Sequence, residues 1–110
     1  MTTRRNIIIE QGTYFEYSID MNNEDSTPFD LSLYTVKSEF RKHFESANSI
    51  EFTTIKASGK LTLILNASVS ANCDPGRYEY DVFLYPNGNA NQASKILEGL
   101  LTIKSSATKI

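Results

Sequence analysis

The sequence predicts an all-β fold, a sandwich or small barrel of about seven short antiparallel strands. Three observations predict it. Apolar and polar residues alternate with period two through most of the chain. Turn residues interrupt that alternation about every 8–12 positions. No stretch has the apolar period of a long amphipathic helix.

Residues 6–10 form a first short β-branched run that stops at Gln11-Gly12. Residues 13–20 put Phe15, Tyr17 and Ile19 on one face, with Tyr14, Glu16 and Ser18 on the other. Residues 21–28 are polar and turn-rich, hence a loop. Residues 29–33 lead into a strand over 35–42, where Val36, Ser38 and Phe40 alternate with Thr35, Lys37, Glu39 and Arg41. Residues 43–50 lack clean periodicity and read as a loop or distorted strand, and strand character resumes over 51–56. Ala57-Ser58-Gly59 is a turn, after which Leu61, Leu63 and Leu65 alternate with Thr62, Ile64 and Asn66. Residues 67–73 are the one place where a single helical turn is expected. A long strand follows over 77–85, and Pro86-Asn87-Gly88-Asn89 is the strongest hairpin signal. The returning strand spans 94–104. The reading is one domain over residues 1–110, with short terminal arms at 1–5 and 105–110.

Composition narrows the function classes. Eleven Lys and Arg against thirteen Asp and Glu leave a net charge of −2. Such a balance offers no footprint for a phosphate backbone, so nucleic-acid binding is disfavoured. The single cysteine, Cys73, cannot close an internal disulfide, and with the single histidine, His43, it cannot make a zinc site alone. A small domain without a disulfide fits a reducing cytoplasm, or particles assembled there, better than secretion. After Arg4-Arg5 the apolar run Ile7-Ile8-Ile9 ends at Glu10, too short for a signal-peptide core or a membrane span. The expectation is a soluble chain with no membrane partner.

Asp74-Pro75-Gly76-Arg77-Tyr78-Glu79-Tyr80 is the most specific local pattern. In immunoglobulin-like sandwiches a turn with Asp and a small residue precedes a Tyr at the start of a core strand. The hydroxyl of that Tyr hydrogen-bonds back to the turn backbone, forming a tyrosine corner. Asp74, Gly76 and Tyr78 fit that role. The residue two places on, often cysteine, is Tyr80 here, so aromatic packing would replace the inter-sheet bond. Tyr80, Val82 and Leu84 would then face the core with Tyr78. The plainer reading is a strand with four large inward residues. The expected fold is an immunoglobulin-like β-sandwich.

Several segments also carry a family likeness. They are Asn6-Ile7-Ile8-Ile9-Glu10-Gln11-Gly12-Thr13-Tyr14-Phe15, Phe29-Asp30-Leu31-Ser32-Leu33-Tyr34-Thr35, Phe40-Arg41-Lys42-His43-Phe44, Gly76-Arg77-Tyr78-Glu79-Tyr80-Asp81-Val82 and Ile96-Leu97-Glu98-Gly99-Leu100-Leu101-Thr102-Ile103. Their order and spacing resemble small virion structural proteins of tailed bacteriophages, cyanophages among them. The resemblance implies an immunoglobulin-like sandwich in the tail, baseplate or neck of a virion assembled in the host cytoplasm. It implies many copies in a symmetric assembly, docking on other virion proteins, and no catalytic residues. The chain departs from the pattern at Leu33, where a glycine often precedes the tyrosine, and in the loop over 87–92.

Candidate chemistry is sparse. Ser46, His43 and Asp81 make a nucleophilic triad only on paper, since no nucleophile-elbow pattern accompanies them. His43 beside Lys42 reads as a solvated surface residue. Cys73 reads as a small, partly buried filler rather than a reactive thiol. Asp20, Glu24 and Asp25 lack the alternating spacing and central glycine of calcium loops. Asp81 reads as outward-facing beside inward Tyr80. No cofactor, metal or small-molecule substrate is expected, and the chain does not read as an enzyme. The alternative function is a glycan- or host-surface-binding module, with Tyr14 or Tyr85 stacking on a sugar ring. The terminal arms are expected to include one that orders only on docking.

Overall fold

The computed structural model describes residues 3–43 and 48–108, which form two β-sheets packed face to face. In chain order the strands are β1 (Thr3–Arg4), β2 (Ile7–Glu10), β3 (Phe15–Asp20), β4 (Tyr34–Arg41), β5 (Ile50–Glu51), β6 (Thr53–Ala57), β7 (Lys60–Leu65), β8 (Gly76–Pro86) and β9 (Ser94–Lys104). A short helix, α1 (Ala67–Ala71), lies between β7 and β8. One sheet runs β1-β9-β8-β4-β5, with β2 also on β9, and the other runs β3-β7-β6. A β4-β8-β9 layer facing a β3-β7-β6 layer is the CFG and BED arrangement of an immunoglobulin-like sandwich.

Alternation builds the core. Tyr78, Tyr80, Val82 and Leu84 of β8 are buried, as are Leu97, Leu101 and Ile103 of β9 and Leu61, Leu63 and Leu65 of β7. Four aromatic rings fill the space between the sheets at one end. Phe40 meets Phe52 at 5.1 Å between centroids and Tyr78 edge-on at 5.3 Å. Phe52 also meets Tyr80 at 6.5 Å, again edge-on. Such tilted contacts suit the ring quadrupole.

The segment over 51–56 differs from its reading as one strand. It splits at Phe52: Ile50–Glu51 pairs with β4 in one sheet, and Thr53–Ala57 pairs with β7 in the other. Burial of Phe52 drives the split, because its ring must enter the interior where the chain passes between layers. Its N–H donates to the Ser38 carbonyl at 3.0 Å, so the crossing leaves that donor satisfied. Thr62 also departs from its outward reading and is buried, with its hydroxyl 3.1 Å from that of Ser18. The hairpin after β8 carries a one-turn helix over Ala90–Gln92, so it is a longer loop than a two-residue turn.

The N-terminal arm is a correction. Residues 3–5 are not a free arm. Thr3 and Arg4 pair with Leu97 and Glu98, and the run Ile7–Glu10 pairs with Leu101 to Lys104, both parallel to β9. The sandwich is therefore antiparallel except along this first edge. Between the two runs the Asn6 side chain takes over from the backbone, accepting from the Leu100 N–H at 3.1 Å. At the other terminus Ser106 Oγ donates to the Gln11 carbonyl at 2.7 Å, so that arm too is anchored at its start.

Gly99 makes the N-terminal pairing possible. A Cβ there would lie 2.1 Å from the Arg5 carbonyl oxygen and 2.7 Å from its carbon. Tyr80, opposite Gly99 in the ladder, sends its hydroxyl across to donate to that same Arg5 carbonyl. Burial pushes the Tyr80 phenol up to about 12, with Tyr17 adding to the shift and Arg5 and Arg4 opposing it.

Two outcomes follow from this contact. Gly99→Ala is expected to cost about 1–3 kcal/mol, the usual penalty of forced overpacking. A urea midpoint equal to wild type would refute the close approach. The Tyr80 shift also fixes a pH slope. The fold favours the neutral phenol, so its contribution is complete below pH 10 and is lost as pH rises toward about 12. Tyr80→Phe should flatten the fall in urea midpoint across that window, leaving the slope due to Tyr78 and Cys73, whose groups are also raised by burial.

Candidate interaction surfaces

The tyrosine-corner residues meet at the start of β8. Tyr78 Oη donates to the Asp74 carbonyl at 2.7 Å, and Gly76 adopts φ +136°, which a side chain would oppose. Lys42 Nζ sits 4.5 Å from the Tyr78 ring centroid. Burial, followed by the nearby Cys73 and Asp74, pushes the Tyr78 phenol up. Cys73, read as partly buried, is almost wholly enclosed at 3% exposure. Its thiol faces the Val69 carbonyl at 3.3 Å, and burial raises its pKa further from the thiolate range. Fully buried Ser70 on α1 ties this end together, accepting from the Gly12 N–H and donating to the Thr13 carbonyl.

The outer face of the larger sheet carries an arrangement that the sequence reading missed. Strand register places Glu51, Glu39, Asp81 and Glu98 side by side across β5, β4, β8 and β9, and Arg4 on β1 ends the row. Like charges directly opposite one another destabilise a sheet. Two cations offset them. Arg41 reaches Glu39 at 2.6 Å, and Lys95 lies 3.3 Å from Glu98 and 4.0 Å from Asp81. Lys37 faces Phe83 on the neighbouring row. Lys37, Glu39, Arg41 and Asp81, with Ser38, Glu79 and Phe83, line a shallow groove of about 360 Å³. Burial raises the Asp81 carboxyl, with Lys95 and Arg41 pulling down and Glu39 and Glu98 pushing up. Alternation marks each of these residues as outward, but it holds no information on which carboxylate lies opposite which.

Other candidates are not brought together. Ser46 lies outside the described residues. His43 follows the end of β4, four positions along from Glu39, the residue opposite Asp81. The Asp25 carboxylate is occupied by Thr27, whose N–H and hydroxyl hold its pKa down, while Asp20 faces Lys60 across the ladder. Among the described residues no group of three or more His, Cys, Asp or Glu is placed to hold a metal ion. Tyr14 is exposed beside α1, whereas Tyr85 lies at the far end of β8 opposite Thr35, so the two rings share no surface.

No family model matches the chain, and no curated protein matches it. Among solved structures it is similar to the extracellular domain of the voltage-gated sodium channel beta4 subunit, at 12% identity and TM-score 0.53, covering 96% of this chain and 95% of that one. It is also similar to a Listeria monocytogenes internalin-like protein, at 17% identity and TM-score 0.51 over 94% of this chain. The chain spans 28% of the length of that internalin-like protein. At these identities the likeness concerns the fold. With the strand order above, it defines the class of the chain: an immunoglobulin-like β-sandwich.

Two substitutions test these surfaces. Tyr78→Phe should lower stability by about 0.5–1.5 kcal/mol, the net worth of one hydrogen bond, and an unchanged denaturation midpoint would refute the corner. Asp81→Asn should act in the opposite direction. The fold favours the protonated carboxyl, so native Asp81 loses stability as pH rises through and above its ordinary range near 3.8. The amide should therefore gain about 0.2–1 kcal/mol at pH 7 and little at pH 3. A lower midpoint at pH 7 would show that the Lys95 contact outweighs burial and repulsion.

Proposed function

We propose that this chain is a non-enzymatic docking domain of a tailed-bacteriophage particle, a component of its tail, neck or baseplate. It assembles in the host cytoplasm and works in several copies by binding other virion proteins. The particle assignment rests on the ordered sequence segments described above. The docking assignment rests on the architecture. The large inward side chains are spent on the core, which leaves sheet faces and strand edges as working surface. Open strand edges are a common site of protein recognition. The charged row on the larger sheet supports binding rather than turnover, because Glu39 and Glu98 each already hold a cation.

The glycan-binding alternative needs aromatic rings converging on one surface, and the separation of Tyr14 from Tyr85 weighs against it. In particles purified from the phage that encodes it, the chain is expected at a fixed ratio to the major structural proteins. Tyrosine fluorescence should stay unchanged across a panel of host polysaccharides. Absence from banded particles would overturn the virion assignment, and sugar-dependent quenching would favour the alternative.

A further inference from the structure

The outer edge of β3 differs from every other edge of the sandwich. β3 is a regular six-residue strand whose only strand neighbour among the described residues is β7. In an antiparallel strand alternate residues direct both main-chain groups to one side, so half of β3 presents N–H and C=O groups outward. Natural sheets blunt such edges with short strands, breaks, lysines, prolines or inward-pointing charges. The other edges here show those devices. β5 has two residues, and the β1–β2 edge is broken at Arg5 and Asn6. On β6, Lys56 sits at a core-facing position opposite Leu61 and reaches over to the Tyr34 carbonyl at 2.6 Å. β3 contains no lysine, proline or bulge.

The inner margin of β3 is also unfinished. Phe15, Tyr17 and Ile19 pack against the core but are only partly buried, while their ladder partners Leu65, Leu63 and Leu61 are buried. Beside them a groove of about 350 Å³ opens between the sheets, lined by Tyr17, Ile19, Met21, Thr3, Ile96 and Leu97. Electrostatics select what fits. From Asn6 to Val36 the chain holds no Lys, Arg or His, but six acids: Glu10, Glu16, Asp20, Glu24, Asp25 and Asp30. Glu16 and Asp20 lie on the outward face of β3 itself, Glu16 opposite Ile64 and Asp20 opposite Lys60, while the Arg5 guanidinium sits 5.2 Å from the inward Tyr17 ring.

We propose that β3 is a strand-acceptor edge. It takes an extended segment of a protein partner, with apolar residues at the positions over the groove and lysines or arginines at the alternate, outward positions. Main-chain hydrogen bonds provide the pairing, the groove takes the apolar side chains, and the outward carboxylates of β3, Glu16 foremost, select the basic ones. This inference deepens the docking reading and rests on it for its biological setting.

The test uses the full chain and a synthetic peptide of about eight residues alternating lysine and valine, long enough to span one strand. Amide hydrogen exchange over Phe15–Asp20 is expected to slow by about tenfold or more with this peptide, and not with one alternating glutamate and valine. Glu16→Lys should weaken binding by about tenfold, and Glu16→Gln by less. Protection at β6 or β2 instead, equal binding of the acidic peptide, or no slowing at β3 would each overturn the proposal. Self-association that Glu16→Lys abolishes would assign the edge to a second copy and would also overturn it. If Glu16→Lys chains entered particles normally, this inference would fall while the docking reading stood. Peptide protection at β3 in a chain absent from particles would leave the edge assignment standing without its virion setting.

Discussion

The contact of Tyr80 with Arg5 over Gly99 decides how the sandwich is closed. The phenol is buried and needs an acceptor, and the Arg5 carbonyl supplies one only because position 99 has no side chain. That approach lies in the gap between the two runs, Thr3–Arg4 and Ile7–Glu10, that pair parallel to β9. A first strand on this side cannot also cover β3. The open edge of β3 thus goes with the pairing of the first strand on the opposite sheet.

The interior is otherwise aromatic and apolar. Its polar members are satisfied locally: Ser70 by the turn after β2, Ser38 by the Asp81 carbonyl, and Thr62 by Ser18. Among the described residues no buried side-chain nitrogen or oxygen lacks a partner. Electrostatic tension lies instead on the outer faces, where in-register carboxylates meet across four strands. A sandwich of this kind stores its specificity in edges and charge rows, because its inward residues are committed to holding the layers together.

Much of this was legible in the sequence. Period-two alternation located β3, β4, β7, β8 and β9, and the returning strand spans Ser94–Lys104 as read. The pairing of Asp74 with Tyr78 was accessible because a turn and the residue four places later are local. What stayed hidden was non-local. No period in residues 3–10 says whether the chain joins β9 or β3, since either edge would accept the same apolar run. Phe52 looked like one more strand residue, because a switch between sheets leaves the alternation almost intact. The carboxylate row needed register, and register depends on partners dozens of residues away.

The placement of the first strand is open to direct observation. Backbone nuclear Overhauser contacts in solution should link Thr3 with Leu97 and Ile8 with Thr102 in a parallel pattern, with none between residues 3–10 and β3. Contacts from that segment to Phe15–Asp20 would put the strand on the other sheet. They would close the edge on which the strand-acceptor inference depends.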